Sequence, residues 1–173
     1  LVSSMPYVRL KDAIGEEWNP DTFTWNKVLV FNLGFDQKGQ TKDHWLYIPS
    51  RDISFYRVGF YDNIFNTDRM SLYVEIGLSR DEAVGDLTHR LQQVMSDLKS
   101  VGIVQHQHLI SSHAVVLDPA YVHITKEAKT QVESERARWR KVGVHSLGRY
   151  GGWTYCAIED NIVEAKALAD MLG

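Results

Sequence analysis

The sequence predicts an α+β fold in which an antiparallel β-sheet carries helices packed on one face. Three observations lead there. Runs of apolar or alternating residues follow one another through the first half with short polar connections, the pattern of hairpin-linked strands. Apolar residues then recur at helical spacing after residues 83 and 157. No strand is followed by GxGxxG, so residues 1–173 carry no dinucleotide-binding fingerprint and the predicted fold lacks a Rossmann half.

Leu1-Val2-Ser3-Ser4-Met5-Pro6 reads as the end of a strand running into a loop, and with no initial Met the chain is expected to be a piece of a longer protein. Lys27 to Phe35 (KVLVFNLGF) is a near-continuous apolar run that suits a buried strand, followed by a polar turn from Asp36 to Gln40. His44 to Ile48 (HWLYI) is a short aromatic strand stopped by Pro49. Ser54 to Tyr61 (SFYRVGFY) is another, closed by Asp62-Asn63. In Met70 to Leu78, Leu72, Val74 and Ile76 alternate with Ser71, Tyr73 and Glu75, which places the two sets on opposite faces.

Ser79-Arg80-Asp81-Glu82 has the spacing of a capping box and predicts a helix start. Val84, Leu87, Leu91, Val94 and Leu98 form its apolar stripe, and Gly102 ends it. Val104 to Leu117 reads as a strand broken by Pro119. Thr125 caps a polar helix running to about Lys141, and Val144 to Leu147 is a last strand. Ile158, Ile162, Ala165, Leu168 and Leu172 make the stripe of a final helix, with Glu159 and Asp160 at its positive end.

Bulk properties narrow the partners. A net charge of −3 offers no electrostatic footprint for nucleic acid. No apolar run has the length of a membrane span. Cys156 is the one cysteine, so no disulfide forms within the chain, and a reducing, cytoplasmic setting is expected.

Two constellations carry chemistry. Gly148 to Asp160 (GRYGGWTYCAIED) sets glycines, an arginine, aromatics and two acids just before a helix start. Glycines let backbone approach a ligand, the helix start offers free N–H groups, Arg149 supplies charge, and Trp153 and Tyr155 wall a pocket. The same residues equally suit a tight turn with core aromatics. The second constellation is Trp45-Leu46-Tyr47-Ile48-Pro49 followed by Phe55-Tyr56-Arg57-Val58. If the two strands pair, Arg57 sits among aromatic rings as a diphosphate ligand. The alternative is a surface arginine whose stem lies over core aromatics.

The order WLYIP, FYRV, GRYGGWTY resembles the carboxy-terminal half of UDP-galactopyranose mutases, most of all the eukaryotic-type ones. It is also similar to protoporphyrinogen-oxidase-like and amine-oxidoreductase flavoproteins. Ser3-Ser4-Met5-Pro6 looks like the segment that leads out of the FAD-binding part in these proteins. The resemblance implies an enzyme of three parts, of which the chain holds the substrate side and lacks the Rossmann FAD-binding half. It divides the chain into an exit segment at 1–20, a substrate-binding sheet with helices at 21–147, and a flavin-contacting loop with the last helix at 148–173. It places Arg57 and Tyr155 against the diphosphate of a nucleotide sugar, with Trp45 and Tyr47 lining that pocket. Gly148, Arg149, Trp153 and the segment Ile158, Glu159, Asp160 would meet the flavin. The catalytic residues stay unassigned.

The implied function is work on a nucleotide sugar in surface polysaccharide synthesis, with FAD held by the intact protein and not by this chain alone. The mutases isomerise a galactose ring through reduced flavin, so the cofactor carries the covalent step. One departure stands out: prokaryotic mutases have an acid two residues after the tyrosine matching Tyr155, where this chain has Ala157. A flavin oxidoreductase with an unrelated substrate and a stand-alone binding module are the alternatives. His106 and His108 form an HxH pair without a cysteine or carboxylate at ligand spacing, so they read as polar strand residues and no metal site is expected.

Overall fold

A computed structural model describes residues 1–173. In chain order the elements are β1 (Val2–Ser3), α1 (Tyr7–Ile14), β2 (Trp25–Phe35), β3 (Trp45–Tyr47), β4 (Arg57–Phe60), α2 (Tyr61–Phe65), β5 (Ser71–Ser79), α3 (Leu87–Ser100), β6 (Leu109–Val122), α4 (Lys126–Arg140), β7 (His145–Ser146), α5 (Gly148–Gly151) and α6 (Ile158–Leu172). They form two units, residues 26–120 and residues 1–25 with 121–173. The α+β class and the antiparallel sheet agree with the sequence.

The first unit is built on a sheet of five strands in the order β3-β4-β5-β2-β6. Pairing of β3 with β4, β4 with β5, and β5 with β2 is antiparallel. Register aligns Val58 with Val74 and Val74 with Phe31, and likewise Phe60 with Leu72 and Leu72 with Leu33. Because side chains alternate along a strand, these rows put Leu29, Phe31, Leu33, Val58, Phe60, Leu72, Val74 and Ile76 on one face. Val94 and Leu98 of α3 join that face in a single core with Leu29, Phe31, Leu33, Val74 and Ile76. The opposite face is left to Trp45, Tyr47, Arg57, Tyr73 and Glu75.

The start of α3 differs from the expectation. Glu82 does reach back to the Ser79 backbone N–H (3.1 Å), but the two close a local turn rather than open a helix. Gly85 follows in the left-handed region (φ 73°), and Asp86 is the cap, accepting from the Thr88 N–H at 2.7 Å. The expected strand at 54–61 is shortened, because α2 begins at Tyr61. The expected strand at 104–117 is shifted to 109–122 and runs through Pro119, which a strand at the end of the sheet order tolerates. His106 and His108 therefore lie in the loop before β6, where the His108 ring meets Asp36 at 3.1 Å.

The second unit has an aromatic core. Tyr7, Phe23, Trp25, Trp139 and Trp153 pack together with Val8, Leu10, Ala128 and Val132. The helix α1 falls in a segment read from sequence as an exit loop; Tyr7, Val8 and Leu10 are its buried face and Gly15 (φ 76°) ends it. Lys11 is also buried, with its ammonium 2.7 and 2.8 Å from the two Glu135 oxygens, and the Tyr7 hydroxyl donates to the same carboxylate. Thr125 caps α4 as expected, accepting from the Ala128 N–H at 3.0 Å. The arginines of α4 are not a plain solvated face: Arg136 pairs with Glu164, and Arg138 with Glu16 at 2.6 Å. β1 and β7 pair in parallel, Val2 opposite His145. The final helix forms where its stripe predicted, yet none of its residues is buried.

Candidate functional site

The polar face of the first unit is assembled by cross-strand register. Tyr47, Arg57 and Glu75 lie side by side on β3, β4 and β5, and Trp45, Gly59 and Tyr73 form the adjacent row. Gly59 is needed there: a Cβ on it would fall 2.1 Å from the Tyr73 ring, so that ring lies across the glycine. Tyr61 stands 5.1 Å from Tyr73, and its hydroxyl donates to Asn32 Oδ1 at 3.3 Å. Trp45 and Tyr47 remain 58% and 61% exposed, which is unusual for rings of this size unless they serve a contact.

Arg57 is the centre of this face. Its guanidinium carbon lies 5.8 Å from the ring centroids of both Tyr47 and Tyr73, within cation–π range. Nη1 donates to the Tyr47 hydroxyl at 3.3 Å. Nη2 donates to Glu75 Oε1, while the Tyr56 hydroxyl donates to Glu75 Oε2. Burial pushes the Tyr73 phenol up, partly offset by the nearby Arg57 charge. The face is therefore an aromatic platform around one ion pair.

The second unit contains the glycine-rich turn. Gly148 takes a left-handed backbone (φ 78°) and its N–H donates to Glu164 at 2.7 Å. The next N–H, of Arg149, donates to Asn161 Oδ1 at 2.8 Å, so two side chains of α6 hold the turn. The Arg149 guanidinium stacks on the rings of Tyr155 (4.4 Å) and Tyr121 (5.3 Å) rather than on a carboxylate. Tyr155 itself is 71% exposed. At the start of α6, Asp160 caps the Ala157 N–H at 2.7 Å, and Ile158 projects into solvent.

Trp153 is placed differently from the other residues singled out in this turn. It is 1% exposed, packed edge-on against Phe23 (5.3 Å) and Trp25 (6.0 Å), with its indole N–H on the His123 carbonyl at 3.3 Å. Its backbone is left-handed (φ 47°), a conformation that turns the ring inward while Arg149 and Tyr155 face out. Thus Trp45, Tyr47 and Arg57 are neighbours in one unit, and Gly148, Arg149 and Tyr155 are neighbours in the other. Sequence reasoning passed over Glu75, Tyr73, Tyr121 and Asn161. The acid alternating with Tyr73 on β5 was a readable sign of the first two; nothing local marks Tyr121.

No family model matches the sequence. No curated protein matches it either. Solved structures do. A reduced UDP-galactopyranose mutase superposes with a TM-score of 0.75 at 19% identity, over 90% of this chain and 36% of its own. A protein of Exiguobacterium sp. 255-15 described as a protoporphyrinogen oxidase gives 0.73 at 14% identity, over 99% and 40%. A CLA-producing fatty acid isomerase from P. acnes gives 0.64 at 13% identity, over 99% and 41%. The chain spans about two fifths of the length of these structures, and at such identities the likeness is one of fold: an α+β architecture shared with part of each larger protein.

Proposed function

We propose that residues 1–173 are the substrate-side part of a flavin-dependent enzyme of the UDP-galactopyranose mutase-like and amine-oxidoreductase group, acting on a nucleotide sugar in surface polysaccharide synthesis. The observation that carries this reading is the exposed aromatic platform around Arg57, on strands whose WLYIP and FYRV segments lie in the order the mutases have them. Trp45 and Tyr47 receive the flat parts of the ligand. Arg57 contacts its diphosphate and stabilises it as it departs.

Arg149 fits one edge of an electron-rich ring system, because its donors are presented by two tyrosine rings and not consumed by a carboxylate. Asn161 ties the turn to the helix start, its Oδ1 accepting from the Arg149 N–H beside Gly148 and its amide donating to the Ala157 carbonyl just before Ile158. Residues 1–173 have no glycine-rich strand-to-helix turn for the cofactor's phosphates, so an FAD-binding domain of the same protein would hold that part. FAD, when bound, supplies the covalent chemistry, and this chain orients substrate and leaving group. In domain terms, 1–20 leads out of that domain, 21–147 receives substrate, and 148–173 meets the flavin.

The test uses the protein purified from its source with all the sequence that flanks residues 1–173. It should show oxidised-flavin absorption. Arg57→Ala should weaken UDP-sugar binding about tenfold or more with flavin content unchanged, because it removes an oriented donor and leaves the Glu75 carboxylate unpaired beside the diphosphate. A colourless protein, or Arg57→Ala emptied of flavin, would defeat the assignment.

A further inference from the structure

Glu75 lies at the centre of the platform and has no role in the reading above. Its side chain is 9% exposed, on a face otherwise made of neutral rings and amides. Arg57 and Tyr56 both donate to it, one to each oxygen. The Arg57 guanidinium and the Glu75 carboxylate thus form an ion pair within the platform. Arg57 therefore brings no net charge to the platform: the positive charge that would draw an anion is cancelled by a fixed negative one beside it. Val30, Asn32, Trp45, Tyr47, Tyr61 and Tyr73, its neighbours on this face, are uncharged.

We propose that Glu75 sets the ligand charge this platform accepts. Paired with Glu75, Arg57 acts as an oriented hydrogen-bond donor, its Nη1 edge turned toward Tyr47 and its Nη2 edge held. The platform then gains little from each further negative charge on a ligand. A ligand phosphate would gain from Arg57 and lose to Glu75, whose opposing charges sit one hydrogen bond apart. Removing the Glu75 charge while keeping its shape removes the negative charge that offsets Arg57 on this face. This inference rests on the platform being the ligand site, and it makes Glu75 a specificity residue that acts through Arg57.

The experiment titrates uridine, UMP and UDP into the protein with all its flanking sequence and into its Glu75→Gln variant. Binding is read from the Trp45 indole and strand β4 amide resonances. In the unmodified chain, affinity should change less than about threefold along the series, because the ion pair is neutral. In Glu75→Gln, UDP should bind about tenfold tighter than uridine. Arg57→Ala in the Glu75→Gln background should abolish that gain. If affinity in the unmodified chain already climbs tenfold with each phosphate, or if Glu75→Gln leaves the series flat, the role given to Glu75 is wrong while the platform stands. If none of the three ligands moves the Trp45 or β4 signals in any variant, the platform is not the site and both readings fall. Should Glu75→Gln not fold, the unmodified series decides alone.

Discussion

Replacing Trp153 by alanine separates a packing role from a ligand-contacting one. The ring is 1% exposed and has Tyr7, Phe23 and Trp25 within 6.4, 5.3 and 6.0 Å. A buried tryptophan removes about 200 Å² of surface from water, worth roughly 5 kcal/mol at 25 cal/mol per Å² as an upper value. Losing the indole N–H leaves the His123 carbonyl without that donor, about 1 kcal/mol more. Partial collapse of the site gives some of this back, so Trp153→Ala should cost about 3–5 kcal/mol. The left-handed backbone adds a second signature. At φ 47° glycine is free of the Cβ clash that alanine keeps, so Trp153→Gly should be milder than Trp153→Ala by up to about 1 kcal/mol. Hydrogen exchange of the Leu10 and Val132 amides, both in the core this ring completes, reports the loss locally. A cost below about 1 kcal/mol would show that the ring is not what holds this core together.

Four further outcomes follow from named contacts. Burial pushes the Glu135 carboxyl up, but hydrogen bonds from Lys11, Tyr7 and Gln131 outweigh it and hold it below the ordinary value. A depressed carboxylate stabilises above its unfolded pKa. Residues 1–25 with 121–173 should therefore lose stability as pH falls below about 4, and Glu135→Gln should flatten that acid limb in urea titrations at stepped pH. Burial, with Glu135 beside it, raises the Tyr7 phenol, so the same unit should also weaken as pH rises past about 10. Gly59→Ala forces the Tyr73 ring off the platform and should cost about 1–3 kcal/mol, with the Tyr73 ring protons shifted in NMR spectra. Asp86→Ala removes the α3 cap and should cost about 1 kcal/mol in a thermal melt, whereas Ser79→Ala should cost less.

The platform was legible because alternation is a strict period. Tyr73 and Glu75 had to share a face once Leu72, Val74 and Ile76 were buried, and Arg57 had to join them once β4 paired with β5. What alternation cannot give is the partner of a charge: Glu75 reaches Arg57 only because the register puts them opposite each other. The α3 cap was misplaced because Ser79 and Glu82 satisfy the spacing of a capping box while closing a turn. The competing cap, Asp86, lies behind a glycine that the stripe beginning at Val84 concealed. α1 was passed over because it is only eight residues long, and its inward face mixes Tyr7, Val8 and Leu10 with a buried Lys11. A lysine at that position reads as solvent-facing until Glu135, far along the chain, is brought to it.

The two arginines singled out from sequence are chemically unlike in the structure. Arg57 has its charge matched by a buried carboxylate, and the surrounding rings fix its orientation. Arg149 has only the faces of Tyr121 and Tyr155, which attract a cation without neutralising it. A guanidinium held by rings keeps its donors and its charge for a ligand; one held by a carboxylate keeps donors and geometry but gives up most of its charge. Substitution should reveal the difference through salt. Binding that depends on Arg149 should weaken steeply as ionic strength rises, because it draws on an uncompensated charge. Binding that depends on Arg57 should change little, and Glu75→Gln should confer on it the salt dependence that Arg149 shows from the outset. Equal salt sensitivity at both positions in the unmodified chain would mean that the Arg57–Glu75 pair does not govern what the platform binds.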